Sequence, residues 1–320
     1  MPFTLLIHGG AGNITPAIMN AEQEEQYREG LRDALNSGYE ILKNGGSSVD
    51  AVVAAISTME DNTLFNAGKG SVFTKKGQNE MDAAIMDGAN LAAGAIAGVR
   101  NIKNPIALAR EVMLHSGHVF LSGNGAAEFA LSQGIEMAPD AYFFNKSRYD
   151  QWLEIRDTNY TQLDHKGDNL KGAAAPLPNP GHKFGTVGAV AVDMHGNLAA
   201  GTSTGGMTNK RFGRIGDSPV IGAGTYANNN TCAISCTGHG ELFLRAVVAY
   251  DVSCLMEYRG LSIQDACNIV IKEKLVKLGG EGGLIAVDAN GNYDFCFNSA
   301  GMYRGMRNSE GKELVAFYGL

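Results

Sequence analysis

The chain has 320 residues, enough for one large domain or two ordinary ones. Hydrophobic residues make up 44% and charged residues 18%, which supports a sizeable core and excludes a disordered chain. A formal net charge of −7 without a basic stripe excludes nucleic acid as an expected partner, and no run approaches the ~20 apolar residues of a membrane span.

Glycine is abundant, 42 residues spread without a triplet period, so tight turns and close backbone approaches are expected rather than a fibrous repeat. Five cysteines (Cys232, Cys236, Cys254, Cys267, Cys296) form an odd set with no C-x-x-C pair. They read as reduced and buried. The start, Met1-Pro2-Phe3-Thr4-Leu5-Leu6-Ile7, lacks the cationic region of a signal peptide, so a cytoplasmic location is expected.

Residues 3–7 read as a short apolar strand. It runs into His8-Gly9-Gly10-Ala11-Gly12, which matches neither the dinucleotide nor the phosphate-loop pattern and reads as a strand-to-helix turn. Residues 21–43 form an amphipathic pattern, with Tyr27, Leu31, Leu35, Ile41 and Leu42 on one stripe, stopped by Gly45-Gly46. Ser47 with Asp50 three residues on is a weak capping box for a second, strongly apolar helix over residues 51–58. Residues 59–69 are too long for a hairpin turn and rich in free carbonyls. By themselves they read as a connector, with a hard-cation loop as the alternative.

Two apolar runs, 80–87 and 91–99, form a hairpin buried on both faces. Pro105 opens a helix to His115, 119–121 is a short strand, and Gly123-Asn124-Gly125 leads into a helix to about Gln133. Residues 149–154 continue as helix. Residues 156–184 change character: Asp, Asn, Lys and Gly surround Pro176, Pro178 and Pro180, with no apolar period. Such a run inside a compact domain reads as a flexible linker or a segment to be cut.

After it comes Lys183-Phe184-Gly185-Thr186-Val187-Gly188-Ala189, a glycine-rich entry to a buried strand. Strands 186–193 and 198–204 form a hairpin across His195-Gly196-Asn197, placing Thr186 opposite Thr204 or within one residue of it. A glycine-rich loop, 205–224, carries Arg214 and Asp217. A strand at 232–237 enters Gly238-His239-Gly240-Glu241, followed by a long helix over 242–256 and another over 262–278. Residues 282–288 and 293–298 make a further hairpin across Ala289-Asn290-Gly291-Asn292. The order of elements points to stacked sheets covered by helices, α+β rather than doubly wound.

The chemistry centres on Thr186. A threonine hydroxyl is a poor nucleophile unless a base takes its proton, and a threonine at a chain terminus carries its own base, an α-amine of pKa ~8. Cleavage at Gly185–Thr186 creates that terminus, and Gly185 is able to adopt backbone geometries closed to other residues. Thr204 across the hairpin is placed to orient the hydroxyl. Thr237 and Gly238, at a strand end, offer a hydroxyl and an N–H for an oxyanion. Arg214 and Asp217 suit a substrate carboxylate and ammonium.

A series of stretches in chain order then carries a family resemblance: His8-Gly9-Gly10-Ala11-Gly12, Leu64-Phe65-Asn66-Ala67-Gly68 with Gly70-Ser71, Met81-Asp82-Ala83, Gly185-Thr186-Val187-Gly188-Ala189-Val190, Thr202-Ser203-Thr204-Gly205-Gly206, Gly213-Arg214-Ile215-Gly216-Asp217-Ser218-Pro219 and Thr237-Gly238-His239-Gly240-Glu241. Nearly the whole chain thus resembles the plant-type (type III) L-asparaginase / isoaspartyl peptidase family of N-terminal-nucleophile hydrolases. The resemblance implies an αββα sandwich of two stacked, mainly antiparallel sheets covered by helices. It implies autocleavage into an α part, 1–185 with its linker at about 156–184, and a β part, 186–320. An (αβ)₂ dimer follows from it too.

By the same resemblance Asn66 helps fix the nucleophile, Thr204 supports it, and Thr237 with Gly238 forms the oxyanion hole. Arg214 grips the α-carboxylate, and Asp217 with Gly240 binds the α-amine. A structural sodium ion is held by carbonyls of Met59, Glu60, Asn62, Phe65, Ala67 and Lys69, which replaces the connector reading of that loop; no catalytic cofactor is expected. The implied substrates are β-aspartyl dipeptides and L-asparagine, with release of L-aspartate. His239 and Ser299-Ala300 depart from the usual family residues and bear on fine specificity. The alternatives are a glycosylasparaginase-like amidase, or an unprocessed protein that binds amino acids without turnover.

Overall fold

The computed structural model describes residues 2–17, 19–158, 161 and 185–319. In chain order its elements are β1 (Thr4–Gly12), α1 (Ala21–Lys43), α2 (Ser48–Glu60), β2 (Met81–Asp87), β3 (Ala93–Val99), α3 (Pro105–His115), β4 (Phe120–Ser122), α4 (Gly123–Ser132) and α5 (Lys146–Ile155). Then follow β5 (Val187–Val192), β6 (Leu198–Thr204), β7 (Thr225–Ala227), β8 (Cys232–Gly238), α6 (Gly240–Ala246), α7 (Val248–Arg259), α8 (Ile263–Asn268), β9 (Gly282–Asp288), β10 (Tyr293–Phe297), β11 (Gly301–Asn308) and β12 (Glu313–Tyr318).

Local chemistry sets the helix starts. Asn20 accepts the Gln23 N–H at 2.8 Å while the Gln23 side chain accepts the Asn20 N–H at 3.2 Å, a reciprocal cap that fixes the start of α1. Ser47 accepts the Asp50 N–H at 3.1 Å, so α2 begins at Ser48, three residues earlier than the apolar run alone indicates.

Two sheets stack face to face. One has eight strands in the order β12-β11-β1-β5-β6-β2-β3-β4, the other four in the order β10-β9-β8-β7. Every named pairing is antiparallel except β3 with β4. The central strands are apolar on both faces because each face is covered. Val187, Ala189 and Ala191 of β5 pack with Leu5 and Ile7 of β1 against α1 and α2. Val190 and Val192 of β5, with Leu6, Leu198 and Ala200, pack against β8, β9 and the layer of α6, α7 and α8. The architecture is the expected αββα sandwich. The alternation also decides the site. Thr186 and Gly188 share the face of Val190, and so look into the gap between the sheets.

The structure corrects several element readings. The His8–Gly12 glycines are not a turn: β1 runs through them and pairs with Gly301–Arg304 of β11 across a bulge between His8 and Gly10. Gly9 is needed because a Cβ there would meet the Phe65 ring at 2.5 Å, and Gly10 carries the bulge at φ 115°. Residues 59 and 60 end α2 rather than opening a loop. The long helix read over 242–256 is two helices, because Val247 sits at φ 50° and breaks the ladder. The helix read from residue 262 is α only to Asn268 and continues as a π-helix over Ile269–Leu275. Strands β7, β11 and β12 were not anticipated at all. Of the 156–184 run, only residues 156–158, 161 fall among those described, so the linker reading lies outside the described residues.

Candidate active site

β5 and β6 position the first pair of candidates. Val187 faces Ser203, so the register continued by one step sets Thr186 against Thr204. Their hydroxyls lie 3.1 Å apart, the Thr186 O–H donating, and Thr204 Oγ1 also accepts the Gly206 N–H at 3.0 Å. Thr186 is buried, as Gly185 is, and both line a cleft at the end of the inter-sheet gap.

Asn66 is buried one turn beyond α2. Its amide donates to Gly206 O at 2.8 Å and accepts the Val72 N–H at 3.0 Å, and its carbonyl accepts the Gly205 N–H at 2.9 Å. These bonds hold the turn after Thr204 rather than Thr186 itself.

Thr237 and Gly238 end β8, where they face Gly283 and Gly282 of β9. Gly238, at φ 154°, lines the cleft. The Thr237 hydroxyl is buried and has no hydrogen-bond partner among the described residues. The next residue is fastened by the His239 N–H to Glu281 O at 3.1 Å.

Arg214, Asp217 and Gly240 form the facing wall of the cleft. A Cβ on Gly240 would meet Arg214 Nη2 and Asp217 Oδ1, each at 2.9 Å, so this glycine leaves the space between a guanidinium and a carboxylate. Burial pushes the Asp217 carboxyl up to about 7, although the Arg214 charge favours its ionised form. One of its oxygens has no hydrogen-bond partner among the described residues.

The structure gives side-chain roles to three charged groups, Glu241, Lys210 and Glu60, that the sequence did not assign. Glu241 pairs with Arg214 through two bonds, Nε–Oε1 at 2.7 Å and Nη2–Oε2 at 2.9 Å. Its own burial opposes ionisation, but the arginine fork holds it below the usual carboxylate range. Lys210 is buried with its ammonium on Glu80 O at 2.8 Å, and burial pushes it below the usual lysine range. Glu60 reaches the opposite face of β6, where its carboxyl accepts the Ser203 hydroxyl at 2.6 Å and the Ile106 N–H at 3.0 Å. Burial pushes it up to about 8. The TGHGE stretch already contained Glu241. Its pairing with Arg214 needs the 207–216 loop folded back on α6, which no local pattern announces.

The chain that builds this cleft matches known proteins along nearly all of its sequence. The sequence profile described as asparaginase matches residues 1–316. The chain belongs to the asparaginase family. The isoaspartyl peptidase of Escherichia coli (strain K12) is 51% identical over 300 residues, covering 94% of this chain and 91% of that protein. The isoaspartyl peptidase/L-asparaginase of Mus musculus is 44% identical over 299 residues, covering 93% and 86%. That of Danio rerio is 42% identical over 298 residues, covering 93% and 90%. Among the described residues, no helix of this asparaginase-family chain is long and apolar enough to cross a membrane.

Proposed function

We propose that the chain is an isoaspartyl peptidase with L-asparaginase activity, activated by its own cleavage at Gly185–Thr186 into parts 1–185 and 186–320. The observation that carries this is the Thr186–Thr204 hydroxyl pair, 3.1 Å apart, in a cleft whose far wall presents Arg214 and Asp217 around Gly240.

In the cleavage step the Thr186 oxygen adds to the Gly185 carbonyl carbon, the Gly185–Thr186 C–N bond breaks, and water hydrolyses the resulting ester. The α-amine so released takes the hydroxyl proton in each later turnover. Arg214 and Asp217 hold the α-carboxylate and α-ammonium of a β-aspartyl substrate, which brings its side-chain carbonyl to Thr186. Thr237 and the Gly238 backbone stabilise the oxyanion, and Gly240 leaves room for the substrate's α-carbon. The amine or ammonia departs, and water releases L-aspartate. Asn66 and Thr204 keep the nucleophile's surroundings in place.

A sodium ion belongs to this reading. The carbonyls of Glu60 and Phe65 lie where Cβ atoms on Gly68 and Gly70 would be, so glycine at both positions lets the turn after α2 pack its carbonyls closely. Neutral backbone oxygens suit a hard monovalent cation. Met59, Glu60, Asn62, Phe65, Ala67 and Lys69 would hold it through their carbonyls, and its charge would brace the turn that carries Asn66. An (αβ)₂ assembly and a cytoplasmic location complete the reading. The five cysteines are unpaired and four are buried, which suits a reducing compartment.

Aspartate release from β-Asp-Leu and from asparagine tests the function. The native chain is expected to release aspartate from both, Thr186→Ala from neither, and Thr186→Ala is expected to remain one chain. A cleaved, active Thr186→Ala protein would remove the nucleophile from the account.

A further inference from the structure

We propose that His8 is a positioning residue for the nucleophile: its imidazole grips the Thr186 carbonyl, and a chain of buried hydroxyls drawn from both sheets, beginning with Ser235 of the second, holds the imidazole. The inference rests on the reading of Thr186 as nucleophile. The glycine-rich stretch that begins with His8 received no role from the sequence.

β1 pairs with β5 so that His8 faces Gly188, two residues past Thr186 on the same side of the sheet. The ring is fully buried. Nδ1 lies 3.1 Å from Thr186 O, and Nε2 lies 2.9 Å from Ser235 Oγ on β8. A carbonyl oxygen only accepts, so Nδ1 carries a proton.

Beyond Nε2 the contacts continue. Ser235 Oγ is 2.7 Å from Thr202 Oγ1, which is 2.7 Å from Thr225 Oγ1. Thr202 also reaches Gly224 O at 3.2 Å, and Thr225 reaches Ser218 O at 3.0 Å. Each hydroxyl has one proton to give, which leaves two consistent directions. In one, Thr225 donates to Thr202, Thr202 to Ser235, and Ser235 to Nε2. In the other, Nε2–H donates to Ser235, Ser235 and Thr225 both donate to Thr202, and Thr202 donates to Gly224 O. Both leave the Nδ1–H on Thr186. The grip on the nucleophile is thus independent of the second ring proton. Thr225 Oγ1 also lies 3.0 Å from Ser218 O, one residue past Asp217, so the contacts run from the Thr186 wall of the cleft to the Asp217 wall.

Two further features fit this role. A Cβ on Gly188 would overlap both Ser235 Oγ and His8 Nε2, so β5 lacks a side chain where the imidazole crosses between the sheets. Once the Gly185–Thr186 bond is cut, no preceding residue restrains Thr186. Its carbonyl is then a principal backbone anchor, and small misplacements of a reacting group cost large factors in rate.

Three variants and one spectrum test this, with kcat taken per cleaved chain and cleavage scored separately by intact mass. Asn is short enough to place an amide N–H near the Nδ1 position, whereas Gln reaches toward the Nε2 position. His8→Gln is expected to lower kcat on β-Asp-Leu by about tenfold or more with KM within about twofold, and His8→Asn to restore most of it. Ser235→Ala is expected to lower kcat several-fold through the same route. In the ¹⁵N spectrum of the histidine-labelled cleaved enzyme, His8 Nδ1 is expected to carry its proton.

An unprotonated Nδ1, equal losses in the Asn and Gln variants, or a loss confined to KM would overturn the proposal. If the His8 variants fail to fold or to cleave, the spectrum of the native enzyme and the Ser235→Ala kinetics decide it. A native chain that is never cut would instead strike the nucleophile reading beneath it.

Discussion

At the residue scale, the site places charge where burial resists it. Asp217 illustrates the cost and the use. Its folded-state carboxyl titrates at about 7 against an ordinary 3.8, because burial disfavours the charged form more than Arg214 favours it. The folded protein therefore keeps a proton that the unfolded chain gives up between those values. Stability contributed by the neutral form is present below about 3.8 and is lost as pH rises toward 7. Asp217→Asn is accordingly expected to be more stable than the native chain at pH 8, by on the order of a few kcal/mol, with no such gain at pH 4. Denaturant melts at the two pH values measure this. The same residue must be ionised to hold an ammonium, so kcat/KM on β-Asp-Leu is expected to fall as pH drops below about 7. Asp217→Asn is expected to lose most of its activity at every pH. A variant that is both more stable and fully active would show that Asp217 lies outside the substrate contacts.

At the scale of elements, legibility tracked how local the cause is. The β5–β6 hairpin was legible because an apolar alternation flanks a tight turn, and the Thr186–Thr204 contact follows from register alone. The cap of α2 was legible because Ser47 and Asp50 act within three residues of each other, whereas the Asn20–Gln23 cap of α1 went unread. The His8–Gly12 stretch was misread because glycine signals turns locally. Here the glycines serve a non-local need, passage under Phe65 and a bulge against β11. Val247 is the same lesson in a helix. The apolar period runs unbroken through 242–256, yet Val247 takes a left-handed conformation at φ 50° where α6 meets α7. It is half exposed, so its strain is not offset by deep packing. Val247→Asn is expected to stabilise the fold by about 0.5–1 kcal/mol, because asparagine tolerates that conformation better than a β-branched residue. A thermal melt of the variant checks it, and a lowered midpoint would mean that the valine packing outweighs the strain.

At the scale of the whole molecule, the chain interleaves its two parts. β1, from before the proposed cut, lies between β11 and β5, both from after it, and β2 pairs with β6. Cutting one bond just before the start of β5 therefore leaves the sheet's pairings in place. The Arg214–Glu241 pair and the Asn66 contacts likewise join segments far apart in sequence, which is why the site's residues were legible and its ion pairs were not. The turn after α2 should respond to its proposed ion. Replacing sodium chloride by choline chloride at fixed ionic strength is expected to lower the melting midpoint by a few degrees, restored by sodium in a saturable way. A midpoint indifferent to the cation would leave that turn as a self-sufficient connector.

The central claim is that Thr186 becomes a chain terminus and then the nucleophile. Intact mass of the purified protein after incubation at neutral pH tests it most directly. The account predicts two fragments, the second beginning at Thr186, appearing together with β-Asp-Leu hydrolysis. A single uncut chain that hydrolyses β-Asp-Leu at full rate would contradict it.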